Sequence, residues 1–342
     1  MRILIATDAW TPQVNGVVTT MTNTVRHLER LGHTVRLVTH EGFRTRPLPS
    51  YPEIRVAVAP GSRAARMVDE FAPDAVHVAT EGPLGLAVRR YCVRGGHPFT
   101  TAFHTQFPEY VHARCGLPVA ITYRWLRWFH APSAAVMVAT PEIHSRLTAR
   151  GFKRLSYWSR GVDTDLFKPA ERTPPSDSRP IFLYVGRVAV EKNIERFLEL
   201  DLPGTKWIVG DGPARASLEA RFPDAVFHGV RHGAELAHCY QQADVFVFPS
   251  RTDTFGLVLA EAMACGTPVA AYPVTGPVDV VRSAEAGVLS EDLRGAALAA
   301  LELDRSAVRR YALQFSWASA TDQFVAALAP TASSHPLSPT HL

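Results

Sequence analysis

The chain has 342 residues and a formal net charge of +4, a length that suggests two domains. Hydrophobic residues make up 46% and charged residues 20%, as in a folded globular protein, and no apolar run of about 18 residues predicts a transmembrane helix. The cysteines lie far apart without metal-ligand spacing, which favours a reduced, cytoplasmic protein. They are Cys92, Cys115, Cys239 and Cys265.

The charge is distributed unevenly along the chain. Residues 1–168 contain 21 Lys and Arg against 12 Asp and Glu, a net charge of +9, and the remaining residues carry −5. The basic excess is densest from Arg89 to Arg160. A basic half suits an anionic membrane, a phosphorylated substrate or nucleic acid, and it is equally compatible with a solvated basic surface. No nucleic-acid recognition motif accompanies the charge, so we expect no nucleic-acid partner.

The first half alternates short apolar runs with segments of helical periodicity, the pattern of a doubly wound α/β domain. The N-terminal apolar run is too short for a secretory signal and predicts a strand instead. Strands are predicted at residues 2–8, 34–39, 54–59, 75–79, 99–103 and 134–139. Helices are predicted at residues 19–31, 84–91 and 119–129. Gly32 would end the first helix, and the strands of such βαβ units should be parallel.

The second half repeats the alternation after residues 168–180, a segment rich in proline and charge that indicates a linker. Strands are predicted at residues 181–185, 206–210, 225–227, 245–248 and 268–272. Helices are predicted at residues 193–200, 256–264 and 306–329. Two further helices are predicted, one that begins at residue 214 and one that ends at residue 242. From Pro330 onward the composition predicts disorder.

Ligands of open parallel sheets bind beyond the carboxyl ends of the strands, so residues just after strands are the candidates. Gly16 precedes a predicted helix, where backbone N–H groups and a small residue favour an approaching phosphate. An ordinary turn glycine explains it equally well. His104 follows a predicted strand and is a candidate for hydrogen bonding to a substrate, although a lone histidine is often structural.

The segment after the strand at 181–185 favours a phosphate ligand. Arg187 and Lys192 flank a loop that enters a predicted helix. Arg offers a planar fork, Lys a point charge, and the helix dipole adds to both, a combination that suits a diphosphate. A surface arginine and a lysine paired with Glu191 would be the structural alternative.

The segment from Pro249 to Val269 is the most informative. Asp253 lies in a loop after a predicted strand, and Glu261 lies within an otherwise apolar helix, where a charge is unfavourable without a partner. Ribose hydroxyls would satisfy that carboxylate. A glutamate that reaches solvent or an arginine is the structural alternative.

Together these segments resemble the retaining GT-B glycosyltransferases of family 4, also called glycosyl transferases group 1. The resemblance extends from Met1 to about Ala329 and is most specific from Arg187 to Val269, while the opening WTPQVNGVV resembles the family's N-terminal loop. Members that use GDP-mannose or glycolipid acceptors are particularly similar. The resemblance implies two Rossmann-like doubly wound domains that face a central cleft.

The resemblance also implies domain bounds and site residues. It implies an acceptor-binding domain at 1–168, a nucleotide-sugar domain at 169–312, a returning helix at 313–329 and a tail at 330–342. The implied donor-binding residues are Gly16, Arg187, Lys192, Asp253, Phe255, Gly256, Leu257 and Glu261. The implied catalytic residues are His104, Asp253, Arg187 and Lys192.

The implied roles follow the chemistry of these side chains. Arg187 and Lys192 would bind the diphosphate, and Glu261 would bind the ribose. His104 would form a hydrogen bond with the transferred sugar. The family usually carries Glu-x7-Glu, and here Asp253 replaces the first glutamate. The replacement is one methylene shorter and preserves the charge, and it leaves the choice of sugar and the rate open. The resemblance implies retaining transfer of a hexose, mannose from GDP-mannose or a hexose from a UDP-sugar, with a nucleotide-sugar co-substrate and no obligate cofactor or metal.

The sequence is compatible with a lipid or a glycan as the acceptor. It is also compatible with a cytoplasmic protein and with one attached to the membrane surface. The predicted helix at 119–129 mixes basic residues with Trp125, Leu126 and Phe129, which either pack into the core or contact an anionic membrane at the inner face of the cell membrane. Other classes compatible with the sequence are an epimerase of the same fold, a phosphorylase dependent on pyridoxal phosphate, and a non-catalytic sugar-nucleotide-binding protein.

Overall fold

The structure, a computed structural model, describes residues 1–13, 15–48, 51–172, 180–253 and 255–329. The chain forms two compact units. The first unit consists of Met1–Ser159 together with the chain from Ala318, and the second consists of Arg160–Trp317. The first boundary therefore lies before the expected position 168, and the return to the first unit begins at 318 rather than 313.

The first unit contains a parallel sheet with the strand order β2-β1-β5-β6-β7-β8. Its strands, with the hairpin β3–β4, are β1 (Arg2–Ala6), β2 (Thr34–Val38), β3 (Thr45–Leu48), β4 (Tyr51–Ala57), β5 (Ala75–Val78), β6 (Thr100–Phe103), β7 (Ala135–Val138) and β8 (Leu155–Tyr157). Strands β1, β5 and β6 are buried along nearly their whole length, as expected of a sheet covered on both faces.

Helices follow most strands of this sheet. They are α1 (Gly16–Arg30), α2 (Gly61–Phe71), α3 (Pro83–Gly95), α4 (Phe107–Cys115), α5 (Val119–His130) and α6 (Pro141–Ala149). The side chain of Asn15 caps α1 by accepting from two backbone N–H groups. Gly32 follows the end of α1 with a φ of +80°, a conformation that glycine adopts readily, so the predicted helix end is confirmed.

The second unit contains another parallel sheet, with the strand order β11-β10-β9-β12-β13-β14. Its strands are β9 (Ile181–Val185), β10 (Thr205–Val209), β11 (Val226–Gly229), β12 (Val245–Phe248), β13 (Val269–Ala271) and β14 (Gly287–Leu289). Its helices are α7 (Ile194–Leu198), α8 (Arg215–Arg221), α9 (Gly233–Gln242), α10 (Leu257–Ala264), α11 (Pro277–Val280), α12 (Leu293–Ala300) and α13 (Arg305–Ala312), with a short 3-10 turn at Val190–Lys192.

The last helix, α14 (Trp317–Ala327), belongs mainly to the first unit. Phe324 is fully buried there and packs in the cluster that contains Ile3, Ile5 and Met21. The prediction of one helical stretch over 306–329 was wrong, because two helices occupy it. The break follows from backbone pairing: Val162 N–H donates to the Phe315 carbonyl at 3.3 Å, and Val162 forms a β-bridge with Ser316.

The predicted strand at 54–59 also needs correction. Strand β4 ends at Ala57 and pairs antiparallel with β3, so it lies in a hairpin outside the parallel sheet. Its backbone partners are the nearby residues of β3, which the sequence pattern had not indicated as a strand. The expected disorder from Pro330 and most of the expected linker lie outside the described residues.

Candidate functional site

The sheet of the second unit reverses its strand order between β9 and β12, because β10 and β11 extend to one side and β13 and β14 to the other. Such a reversal leaves the loops after the two central strands free to hold a ligand. The loop after β9 carries Arg187 and Lys192, and the loop after β12 carries Asp253. The candidate site is thus located where the topology of an open parallel sheet favours binding.

Side-chain hydrogen bonds join these two loops. Lys192 Nζ donates to Asp253 Oδ1 at 2.6 Å, and both side chains are less than one-fifth exposed. Asn193 Nδ2 donates to the carbonyl of Pro249 at 3.1 Å. Thr252 Oγ1 donates to the carbonyl of Glu191 at 3.3 Å. The two loops therefore form one structure, and the predicted residues Lys192 and Asp253 are in direct contact.

Arg187 lies at the start of the loop after β9, with a partly buried side chain. The phenol of Tyr184 donates to the carbonyl of Arg187 at 3.0 Å, which holds the backbone at that point. Arg187 and Lys192 thus belong to one loop, as the sequence predicted.

Glycines that the sequence analysis did not single out shape the same edge of the sheet. A Cβ at Gly210, after β10, would lie 1.9 Å from the carbonyl oxygen of Gly186, and a Cβ at Gly212 would lie 2.3 Å from that of Val188. Gly210 and Gly212 also have φ values of +138° and +159°. The signal that identifies them is the Gly-Asp-Gly triplet directly after a predicted strand.

Helix α10 begins directly behind the Asp253 loop. Gly256 precedes it with a φ of +79°, which glycine adopts without strain. The side chain of Phe255 is buried, with its ring edge-on to Phe315 at 6.0 Å. This packing fixes the backbone of Phe255, Gly256 and Leu257 at the helix N-terminus, where N–H groups and the helix dipole favour an anion.

Glu261 lies one turn further along α10 and is partly buried. One of its oxygens, Oε2, accepts a hydrogen bond from the phenol of Tyr240 on α9 at 2.9 Å. Burial raises the pKa of Glu261 to about 7, and the Tyr240 hydrogen bond opposes that rise. The structure thus gives the Glu261 carboxylate a phenol partner, which neither the ribose interpretation nor its structural alternative had named.

Gly16 is exposed at the first position of α1, in the first unit. Asn15 Oδ1 accepts from the N–H groups of Val17 and Val18 at 3.0 and 3.1 Å. The side chain of Asn15 thus occupies two of the donors that the sequence analysis had expected to face an anion. A phosphate at this helix would have to use the backbone of Gly16 or displace the cap.

His104 follows β6 in the first unit and is partly buried. Its ring lies edge-on to Trp158, with centroids 5.4 Å apart. Trp158 is fully buried, and its ring packs 4.8 Å from that of Phe324 in α14. Two large aromatic residues therefore restrict where the His104 ring lies.

Asp8, at the end of β1, has a structural role that its position alone did not reveal. Its carboxylate accepts from the backbone of Leu84 at 2.9 Å and of Gly85 at 3.2 Å, and from Thr80 Oγ1 at 2.9 Å. Burial raises the pKa of Asp8, and these hydrogen bonds oppose that rise. A Cβ at Gly82 would lie 2.3 Å from the carboxyl carbon of Asp8. Asp8 therefore caps α3 from a distant strand.

Across the described ranges, no helix is both long and apolar enough to span a membrane. In the same part of the chain, no group of three or more His, Cys, Asp or Glu side chains is placed to hold a metal ion. Cys92, Cys239 and Cys265 are buried free thiols, and burial raises the pKa of Cys92 to about 12.

Comparison with known proteins identifies the family. Residues 14–166 match the model of Glycosyltransferase Family 4, and residues 179–304 match Glycosyl transferases group 1. The chain is 32% identical to a GDP-mannose-dependent alpha-mannosyltransferase of Mycobacterium tuberculosis, over 84% of this chain and 83% of that protein. The chain belongs to glycosyltransferase family 4. This family 4 enzyme therefore transfers a hexose, as the resemblance had implied.

A second relative agrees with this assignment, and a solved structure shares the fold. The family 4 enzyme is 27% identical to the alpha-monoglucosyldiacylglycerol synthase of Streptococcus pneumoniae, over 88% of this chain and 78% of that protein. Sucrose-phosphate synthase from Thermosynechococcus elongatus gives a TM-score of 0.75 at 20% identity, over 95% of this chain and 97% of that one. The predicted GT-B fold, with two parallel-sheet α/β domains, is confirmed.

Proposed function

We propose that this glycosyltransferase transfers mannose from GDP-mannose, with retention of configuration at the anomeric carbon, to a lipid or glycan acceptor. The 32% identity to a GDP-mannose-dependent alpha-mannosyltransferase supports the donor. The Streptococcus relative, named alpha-monoglucosyldiacylglycerol synthase, supports a lipid acceptor. The glucosyl group in that name also favours a second candidate, in which the enzyme transfers a hexose other than mannose, and we take a UDP-hexose as its donor.

The observation that carries the proposal is the joined pair of loops at the reversal of strand order in the second sheet, where Lys192 Nζ donates to Asp253 Oδ1 at 2.6 Å. Lys192 and Arg187 would bind the diphosphate of the donor, and the N-terminal backbone of α10 would bind the phosphate and the sugar. Glu261, whose Oε2 is already held by Tyr240, would offer Oε1 to the ribose hydroxyls. The diphosphate, the sugar and the ribose of the donor would then each meet a side chain or backbone group of suitable chemistry.

The chemistry of transfer rests on stabilising the leaving group. As the bond between the anomeric carbon and the diphosphate breaks, charge grows on the departing phosphate oxygen, and Arg187 and Lys192 would stabilise it. That oxygen would accept the proton of the attacking acceptor hydroxyl, so the new bond forms on the face the diphosphate leaves. His104 would form a hydrogen bond with the hexose, and the Asp253 carboxylate would accept hydrogen bonds from the hydroxyls of the hexose. Two cations supply the charge that a metal supplies elsewhere, so activity should survive a chelator.

The exposed face of α5 supports a membrane-bound acceptor. Leu126 and Phe129 are fully buried, as the core-packing alternative expected, but Ile121, Trp125 and Trp128 are 55%, 37% and 49% exposed. Arg124 and Arg127 are exposed on the same helix. Exposed aromatic side chains among arginines suit the interface of an anionic bilayer, where the rings enter the headgroup region and the guanidinium groups pair with phosphates. We therefore propose peripheral attachment at the inner face of the cell membrane.

The proposal is tested with purified protein, a panel of GDP- and UDP-sugars and extracted bacterial lipids, following nucleoside diphosphate release and lipid mass. Glu261→Ala serves as the impaired control. Release from GDP-mannose with a lipid heavier by one hexose, both lost in the control, is the expected result. Release from a UDP-hexose alone would favour the second candidate. Binding of a donor without release from any would favour the non-catalytic sugar-nucleotide-binding alternative.

A further inference from the structure

Tyr240 is buried completely, yet its phenol donates the one hydrogen bond that the Glu261 carboxylate accepts among the described residues. The two residues lie on neighbouring helices, α9 and α10. The hydroxyl of Tyr240 donates to Oε2 at 2.9 Å, which leaves Oε1 for a ligand. A buried ring cannot move with a partly exposed carboxylate. A hydrogen bond from its phenol therefore restricts the orientation of that carboxylate.

Several contacts hold the Tyr240 ring in one place. Its ring is edge-on to Phe167 at 5.8 Å and to Phe246 at 5.7 Å. Thr267 Oγ1 donates to the carbonyl of Tyr240 at 2.6 Å, which ties the end of α9 to the strand that follows α10. Aromatic packing of this kind fixes both ring angles, so the phenol oxygen has a defined position relative to Glu261.

We infer that Tyr240 is the positioning residue that holds the Glu261 carboxylate in its ionised, ribose-accepting orientation. This inference rests on the proposed function, in which Glu261 binds the donor ribose. Diol hydroxyls are bound best by a carboxylate whose free oxygen is aimed at them, and the phenol fixes one oxygen so that the other is presented.

The charges around Glu261 strengthen the inference. The ionisable neighbours that sense the charge of Glu261 are Tyr240 on α9 and Cys265 at the end of its own helix. From α13, Arg309 donates to the carbonyls of Ala264 and Phe167 instead. Burial and the nearby Glu261 raise the pKa of Cys265 to about 12, so the thiol stays neutral at physiological pH. The hydrogen bond from Tyr240 is the interaction that opposes the effect of burial on Glu261.

The experiment measures the dissociation constants of GDP-mannose and UDP-glucose from pH 5.5 to 9 by isothermal titration calorimetry. In the wild type, affinity should rise with pH through about 7, because the ionised carboxylate binds the diol. Tyr240→Phe keeps the ring packing and removes the hydroxyl, so the rise should shift to higher pH. Affinity should fall about five- to tenfold at pH 6.5 and nearly recover at pH 9.

Tyr311→Phe is the matched control, because it removes a phenol that donates to a backbone carbonyl, that of Val280, in the same unit. It should leave both dissociation constants unchanged. Glu261→Gln separates the ribose-binding role of Glu261 from the positioning role of Tyr240. If Glu261→Gln leaves donor affinity intact, the ribose role of Glu261 in the proposed function is wrong. If Glu261→Gln weakens binding but Tyr240→Phe matches Tyr311→Phe at every pH, the positioning role is overturned.

One outcome is independent of any variant. A wild-type donor affinity that stays flat from pH 5.5 to 9 would overturn the ionised, ribose-accepting state that the inference assigns to Glu261, even if Tyr240→Phe failed to fold, which circular dichroism would show. A wild-type rise centred near pH 7 supports that state, and the shift of the rise in Tyr240→Phe assigns it to the phenol.

Discussion

Lys192 Nζ lies 2.6 Å from Asp253 Oδ1, and this ion pair connects the two loops at the strand reversal of the second sheet. Both side chains are less than one-fifth exposed, so water screens the pair less than it screens a surface pair. A donor diphosphate would compete with Asp253 for Lys192. We therefore expect Asp253 to weaken the binding of a bare nucleoside diphosphate and to remain available to the sugar hydroxyls of a donor.

Asp253→Asn should separate these two effects. Removing the carboxylate releases Lys192 and removes a negative charge near the diphosphate, so GDP or UDP should bind about two- to fivefold more tightly. Transfer should slow by about tenfold or more, because the charged contact to the sugar is lost. Calorimetry with the free diphosphate and initial rates with the donor measure the two effects.

Glu291→Gln is the matched control for that variant. Glu291 pairs at 2.7 Å with Arg251, which lies on the same loop as Asp253. Both side chains of this pair are well exposed. This variant should change neither the affinity for the diphosphate nor the rate. Weaker diphosphate binding by Asp253→Asn would show that the Lys192–Asp253 pair supports the phosphate site rather than competing with it.

Much of the second domain was predictable because its strands β9, β12 and β13 are short, continuous runs of buried apolar residues. The predicted bounds of β9 and β12 agree with the structure residue for residue. Strand β8 was missed because it has three residues and none is fully buried, so no apolar run indicates it. The apolar pattern did not indicate the break before α14, because the break depends on Val162, which lies far away in the sequence. The resemblance alone had implied a separate helix, from 313.

The candidate site was predictable residue by residue but not as a set of contacts. Polar residues directly after strands indicated Arg187, Lys192 and Asp253, since the topology of parallel sheets brings such loops to one edge. The partner of Glu261 was not predictable, because Tyr240 lies 21 residues earlier on another helix and resembles an ordinary core aromatic. The role of Asp8 depends equally on tertiary contacts.

Glu261→Gln should stabilise the ligand-free protein at alkaline pH. The folded-state pKa of about 7 lies above the ordinary value, so folding favours the protonated form. That stabilising contribution is fully present below the ordinary pKa and is lost as pH rises through about 7. Glutamine stays neutral and still accepts from Tyr240.

The free energy of unfolding of Glu261→Gln should therefore match the wild type near pH 5 and exceed it by about 1–3 kcal/mol at pH 8.5. Urea denaturation at the two pH values measures the difference. Glu302→Gln, an exposed position of the same unit, is the control and should show no such trend. A Glu261→Gln advantage that is equal at both pH values would contradict the raised pKa.

Asp8→Ala should destabilise the first unit. The substitution removes the acceptor for the backbone of Leu84 and Gly85 and for Thr80, so these donors lose their partner at the start of α3. We expect the free energy of unfolding to fall by about 2–4 kcal/mol. Asp8→Asn keeps an acceptor oxygen and should lose less. Chemical denaturation of both variants checks this order, and equal losses would argue that the negative charge rather than the cap matters.

Replacing Trp125 and Trp128 together with alanine should weaken membrane binding without unfolding the protein, because both indoles are more than one-third exposed. Trp128 also lies under the guanidinium of Arg89 at 4.1 Å, so a loss of about 1 kcal/mol of stability is expected from that cation–π contact. Flotation with vesicles of anionic and of neutral lipid measures binding, and a soluble acceptor measures the intrinsic rate.

The double variant should lose most of its flotation with anionic vesicles and keep its rate on the soluble acceptor, since these residues would act on the membrane and not on the donor. Leu313→Ala, a similarly exposed apolar position in the second unit, is the control and should float like the wild type. Loss of flotation in high salt would assign part of the attraction to the arginines of α5, because salt screens exposed charges. Equal flotation of the double variant and the wild type on anionic vesicles would show that α5 is not the membrane contact.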